Sequence, residues 1–143
     1  MSLLLLLAII YAMRKRGVQQ MDDIVVCDLS QERLKFISDT YHVKTTHSID
    51  DAVKNADLIL LAVKPQNVET VAASIHHPIS GVLLSIVAGC TIDKLSKEFR
   101  TSKVIRSMPN TPGKILYMIL NIYIYIYICH VVYDLYGIVI LTL

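Results

Sequence analysis

Between residues 18 and 108 the apolar pattern switches repeatedly between the period of a buried strand and that of an amphipathic helix, and few folds can use such a pattern. Ile24 to Cys27 is a short apolar run ending at Asp28, which predicts a strand covered on both faces. Ser30 then starts a helix whose Leu34, Ile37 and Tyr41 share one face. Val43 to Thr46 is β-branched and extended, and Ser48 caps a short helix through Val53, with Asp50 and Asp51 near its positive end. Leu58 to Val63 is a second buried strand. Pro65, which has no N–H to leave unpaired in a first turn, opens a helix carrying Val68, Val71, Ala72 and Ile75 inward. Pro78 and Gly81 break that pattern before a strand over Val82 to Val87. Thr91 caps a helix through Phe99, and Lys103 to Ser107 is a last short strand. Strands alternating with helices at this spacing predict a parallel sheet with helices on both faces. Ligands bind such sheets at the carboxyl ends of the strands. Here those ends are Asp28, Ala62 to Pro65, Ala88 to Thr91 and Ser107 to Pro112.

Three of those ends also carry a resemblance. The runs ILLAVKPQNV at 59–68, SIVAGCTIDKL at 85–95 and VIRSMPNTPG at 104–113, in that order and spacing, resemble pyrroline-5-carboxylate reductase. The likeness covers about residues 8 to 113, and MPNTP is its most specific part. It implies an α/β, Rossmann-like domain and an oxidoreductase that reduces a cyclic imine to L-proline with hydride from NADPH or NADH, the last step of proline biosynthesis. By resemblance, Ala62, Val63, Lys64 and Pro65 lie along the cofactor, Ala88, Gly89 and Cys90 near its nicotinamide end, and Asn110 and Thr111 beside the reacting centre. No residue is assigned a catalytic role. Gly89 would permit close backbone approach, and a helix starting near Thr91 would offer free N–H groups to an anion. Taken singly, Lys64 reads equally as a solvated loop charge, Pro65 as a helix starter and Gly89 as a turn.

Asp28 is weighed separately. An acidic residue ending the second strand of a dinucleotide-binding sheet accepts hydrogen bonds from the adenosine ribose of NAD and repels the extra phosphate of NADP. Arg33, a helical turn on, could counter that repulsion, so NADP and NAD both stay open. Asp28 could also simply begin the turn into the helix at Ser30. Ile49 stands where relatives often show an asparagine on the adenosine side.

The two flanks differ from this middle segment. Residues 8–17 resemble the end of the family's first helix, before which a strand and a GxGxxA or GxGxxG loop are expected. The chain instead begins MSLLLLL, so the expectation is an incomplete sheet without its first strand and glycine loop, and with an atypical apolar segment at 1–7. The apolar run is short for a membrane span and its basic residues, Arg14 to Arg16, follow rather than precede it. An alternative first exon accounts for it more simply. Residues 114–143, KILYMILNIYIYIYICHVVYDLYGIVILTL, stand where the family continues into a helical dimer domain that holds the imine acid. The repeated Ile-Tyr is low complexity, reads as translated non-coding sequence from an alternating A/T tract, and makes aggregation the expectation. Its charge-free stretch from Ile115 to Tyr133 is long enough to contact or span a membrane, although strict alternation suits a strand better.

Composition narrows the function classes. A net charge of +2 with 18% charged residues gives no field for nucleic acid. Three scattered cysteines, Cys27, Cys90 and Cys129, form neither a disulfide framework nor a metal-ligand pattern, which suits a reducing cytoplasm. His76 and His77 read as helix-end or turn residues, and no metal site is expected. The expected partners are a small-molecule substrate and, in the intact family, a second subunit through a domain not present here. Two other readings stay open: another dehydrogenase of the same superfamily, or a non-catalytic, truncated or membrane-attached isoform that binds no cofactor.

Overall fold

The computed structural model describes Ile10, Tyr11, Met13 and residues 21–107 and 138–142. The segment 1–7, the basic cluster at Arg14 to Arg16, Asn110 and Thr111, and the Ile-Tyr repeat lie outside the described residues.

In chain order the elements are β1 (Ile24–Cys27), α1 (Gln31–Tyr41), β2 (Lys44–Thr46), α2 (Ile49–Val53), β3 (Leu58–Leu61), α3 (Val68–Ala73), β4 (Val82–Ser85), α4 (Ile92–Glu98), β5 (Val104–Arg106) and β6 (Ile138–Leu141). The five strands expected within 18–112 are present and parallel. The three helix starts expected at Ser30, Ser48 and Thr91 are capped as their side chains allow: each hydroxyl accepts the backbone N–H three residues on, from Arg33, Asp51 and Lys94 respectively. At Pro65 the chain first makes a 3-10 turn, Pro65–Asn67, and only then the α-helix. Gly81 precedes β4 because nothing larger fits. A β-carbon there would stand 2.2 Å from the Ala56 carbonyl oxygen, just where Val82 donates its N–H to the Asp57 carbonyl at 2.8 Å.

The sheet has six strands in the order β2-β1-β6-β3-β4-β5. A doubly wound sheet places its first strand between the second and the fourth. Here β1 and β3 are in those flanking places, and β6 stands between them, parallel to both. Ile24, Ile138 and Leu58 lie side by side at one end of the register, and Cys27, Leu141 and Leu61 at the other. This differs from the sequence expectation of a sheet lacking its central ladder, and from the reading of the whole tail as an apolar appendage. The physical reason is in the composition of β6. Ile-Val-Ile-Leu is a short aliphatic run that can be buried on both faces, which a central parallel strand requires. Without it, β2-β1 and β3-β4-β5 share no strand–strand pairing.

Alternate residues of β6 serve two cores. Val139 and Leu141 pack with Cys27, Ile59, Leu61 and Leu83 beneath α2, α3 and α4. Ile138 and Ile140 pack with Ile24, Val26, Leu58 and Leu60 beneath Leu34 and Ile37 of α1, where Ile10 joins them. All four β6 side chains are buried. At roughly 1.5–3 kcal/mol for each buried aliphatic side chain, β6 contributes about as much as the net stability of an ordinary domain.

Candidate functional site

The carboxyl ends of the strands form one edge, and the residues at its two ends are held very differently. At the β1 end the chain leaves the sheet at Asp28, whose side chain is fully buried. One carboxylate oxygen, Oδ1, accepts the Ser30 backbone N–H at 2.7 Å. The other, Oδ2, accepts the Thr142 hydroxyl at 2.7 Å and lies 3.1 Å from an Arg33 guanidinium nitrogen. Thr142 itself continues the pairing of β6 with β1, its N–H donating to the Cys27 carbonyl at 2.9 Å. His47, just past β2, donates Nδ1–H to the Asp28 carbonyl at 2.9 Å while Nε2 lies 2.6 Å from the Gln31 side-chain amide. Burial, with the neighbouring Asp28 charge second, pushes the Cys27 thiol up to about 11. It is a neutral, inert side chain at physiological pH.

At the other end, Ala62 and Val63 follow β3 and are buried, whereas Lys64 and Pro65 are exposed. The Ala62 N–H donates to the Leu141 carbonyl at 3.0 Å and the Ile86 N–H to the Leu61 carbonyl at 3.1 Å, so the turns after β3 and β4 leave the sheet side by side. Ser85 ends β4 fully buried, its hydroxyl accepting the Val87 N–H at 3.2 Å. The chain then emerges at Ala88 and Gly89, both exposed, and Cys90 turns back into the core. Gly89 has φ +73°, and a β-carbon there would meet nothing within 4 Å. Its glycine is required by the backbone and leaves open space above it, as a close-approaching ligand needs. The short α4 behind it offers less than the sequence suggested, because Thr91 already takes one of its first-turn N–H groups. Lys94 of the same helix pairs with Glu69 of α3 at 2.8 Å, an exposed tie between the two helices. The pairing lowers the Glu69 carboxyl below its usual range and raises the Lys94 ammonium, in each case chiefly through the direct hydrogen bond.

Of the residues named from sequence, the structure therefore brings Ala62, Val63, Lys64 and Pro65 together with Ala88, Gly89 and Cys90 on adjacent strands, β3 and β4. It sets Asp28 apart, with β6 between β1 and β3. Asn110 and Thr111, expected beside the reacting centre, are outside the described residues. Ile49, at the start of α2, is buried in the core and faces no ligand position. Sequence reasoning missed Thr142 and His47. A threonine one residue after an aliphatic run was a faint signal, invisible while the run itself was assigned to a low-complexity tail. His76 and His77 lie in the bend that follows α3, where His76 donates its backbone N–H to the Asp50 carboxylate at 2.7 Å and His77 donates Nε2–H to the Asp50 carbonyl at 2.9 Å. Among the described residues no helix is long and apolar enough to cross a membrane.

Over residues 7–89, more than half of the chain, the sequence matches the family described as NADP oxidoreductase, coenzyme F420-dependent. The chain belongs to this family. Among its curated relatives, the pyrroline-5-carboxylate reductase of Mycobacterium leprae is 37% identical over 103 residues, which is 66% of this chain and 35% of that protein. The chain thus spans about a third of the length of that relative. Among solved structures, a pyrroline-5-carboxylate reductase from Coxiella burnetii matches with a TM-score of 0.69 at 22% identity, over 96% of this chain and 54% of the other. The pyrroline carboxylate reductase of Plasmodium falciparum, with NADP bound, matches with a TM-score of 0.63 at 19% identity, over 94% of this chain and 52% of that one. At these identities the solved structures speak to the fold, and they agree with the parallel, doubly wound sheet.

Set against a dinucleotide, the two ends of the strand edge differ. The backbone at Gly89 and the turn at Lys64 and Pro65 are exposed, and a β-carbon at Gly89 would meet nothing within 4 Å. The pyrophosphate of such a ligand rests on a glycine turn after the strand between β1 and β3. In this structure the strand in that place is β6, and Thr142 follows it. Asp28, the residue expected to take the ribose, is buried with both oxygens engaged.

Proposed function

We propose that this chain is the cofactor-binding portion of a pyrroline-5-carboxylate reductase, the NADPH- or NADH-dependent enzyme that converts 1-pyrroline-5-carboxylate to L-proline. The observation that carries the proposal is the pairing of the AVKP and AGCT turns. The two segments are separated in sequence and emerge together from β3 and β4 at the edge where this fold binds its ligands. The 37% identity to the Mycobacterium leprae enzyme supports the same reading. In the intact family the cofactor supplies the hydride, and the protein supplies position and exclusion of water. In this reading Ala62, Val63, Lys64 and Pro65 form one wall of the nicotinamide half, and Ala88, Gly89 and Cys90 the other. Asn110 and Thr111 would stand beside the imine. The family points to NADP, and the choice between NADP and NAD belongs to the proposal. The buried thiols of Cys27 and Cys90 suit a reducing, cytoplasmic setting.

Hydride transfer requires donor and acceptor carbons held in a near-attack geometry, and Asp28, at the ribose end, is fully buried with both carboxylate oxygens engaged. Purified chain assayed with pyrroline-5-carboxylate and NADPH is therefore expected to show no measurable turnover. Turnover approaching that of an intact reductase would overturn the assignment of this chain as an inactive portion. A reading as a non-catalytic isoform is favoured by one observation alone, the engagement of Asp28 by Thr142.

A further inference from the structure

We infer that Thr142 closes the ribose end of this site, so that a dinucleotide can reach Asp28 only when Thr142, just past β6, lifts away. The inference rests on the dinucleotide reading above and adds a control to it.

The argument starts with the acceptor capacity of one carboxylate. A ribose diol is recognised by an acidic residue at the end of β1 through hydrogen bonds from its hydroxyls. Asp28 occupies that position, but it is fully buried and three donors already meet it. The Ser30 N–H is part of the turn into α1 and stays with it. Arg33 is 41% exposed in its side chain and can swing into water without leaving a buried charge behind. Thr142 is different. It is 5% exposed, and its own N–H is tied to the Cys27 carbonyl. Its hydroxyl oxygen lies 2.7 Å from Asp28 Oδ2 and 3.3 Å from the Cys27 carbonyl. A single hydroxyl proton serves one acceptor at a time, and the shorter, charge-assisted contact takes it. Thr142 is therefore the group that a ribose hydroxyl must replace.

The extent of the opening is set by the same packing. β6 is paired on both sides through all four of its residues, with both faces buried. Its departure as a whole would divide the sheet. Thr142 is past the last of those pairs and is held by its N–H and its hydroxyl. Fraying of this one residue exposes the Asp28 carboxylate and leaves the sheet intact, as strand ends are the parts of a fold that open most easily.

The test compares the full chain with Thr142→Val, which keeps the shape and removes the hydroxyl, and with Thr142→Ser, which keeps the hydroxyl. Binding of ADP-ribose and of NADH is measured by calorimetry, and exchange of the Thr142 amide by NMR. Thr142→Val is expected to bind both ligands about tenfold more tightly than the wild type, as the loss of one charge-assisted hydrogen bond allows. Thr142→Ser should behave as the wild type. In the wild type, saturating NADH should speed exchange of the Thr142 amide. Equal affinity of wild type and Thr142→Val, with the Thr142 amide still protected in the bound state, overturns the lock and leaves the dinucleotide reading standing. No binding of either ligand by Thr142→Val, although its residue 142 amide exchanges freely, overturns the dinucleotide reading and the lock with it. If Thr142→Val does not fold, Thr142→Ala takes its place with the same expected outcomes.

Discussion

The two ends of the strand edge are built on opposite principles, although both lie where ligands bind in this fold. At Asp28 every polar atom with a role has a partner, and the residue is sealed from water by Thr142 and the end of β6. At Gly89 the backbone is exposed, held at a positive φ, and surrounded by space. A binding site normally keeps its polar groups preorganised and unsatisfied, ready for the ligand, whereas a structural site satisfies them internally. By that measure the Asp28 end is a piece of architecture, whereas the Gly89 end is left open. The difference traces to β6. A strand in the middle of the sheet is obligatory for the fold, and the segment that provides it delivers Thr142 onto Asp28.

The sharpest way to break this comparison is to remove β6 from the sheet. Ile140 is fully buried between β1 and β3 on the α1 side. An Ile140→Asp substitution places an unpaired carboxylate there and should destabilise the chain by at least about 4 kcal/mol. Urea denaturation followed by circular dichroism measures this. A variant that melts like the wild type would show that residues 138–142 are not in the sheet, and the contrast between the two ends would vanish.

Smaller effects are expected from substitutions at each end, and their ratio is the informative quantity. Asp28→Ala leaves the Thr142 hydroxyl, the Ser30 N–H and the Arg33 guanidinium without their acceptor, and should cost about 3 kcal/mol. Gly89→Ala meets no neighbour, so only the left-handed backbone opposes it, at about 1 kcal/mol. In NADH binding the order should reverse for a site entered from the Gly89 end. A methyl group at Gly89 then occupies the space the nicotinamide half needs, and weakens binding more than its small effect on stability. Paired urea titrations and NADH titrations of the two variants give the comparison. Equal stability losses at the two ends would contradict the division into a closed and an open end.

How much of this was legible in the sequence follows from which contacts are local. The elements from β1 to β5 announce themselves through period and capping, because the burial of Leu58 to Leu61 or the cap at Ser30 depends on a few adjacent residues. The pairing of the AVKP and AGCT turns was readable too, since motif order and parallel topology place them on neighbouring strands. The role of β6 was not. Nothing in Ile138 to Leu141 distinguishes a central strand from any other aliphatic run. Its place is decided by the gap between β1 and β3, more than a hundred residues earlier for β1. The same non-locality hid Thr142, whose partner Asp28 is 114 residues away in sequence. Asp28 was read correctly as a strand-ending acid, but its burial depends on that distant partner and not on its neighbours.

The last expected effect is absent at neutral pH and appears only in alkali. Cys27 ends β1 directly beside Asp28, and burial, followed by the Asp28 charge, lifts its thiol from an ordinary 9.0 to about 11. The unfolded chain thus loses this proton more readily than the folded one. The sign follows from linkage: the contribution is fully present below pH 9 and is lost as the pH rises through the folded value of about 11. Urea midpoints measured across that range should fall more steeply for the wild type than for Cys27→Ala, and their difference isolates this thiol. Because desolvation is the larger cause, the extra slope reports how well the Asp28 end is sealed. Thr142→Val, by loosening that seal, should shrink it. A wild type whose alkaline slope matches that of Cys27→Ala would mean that water already reaches Cys27, and that the closed end is not closed.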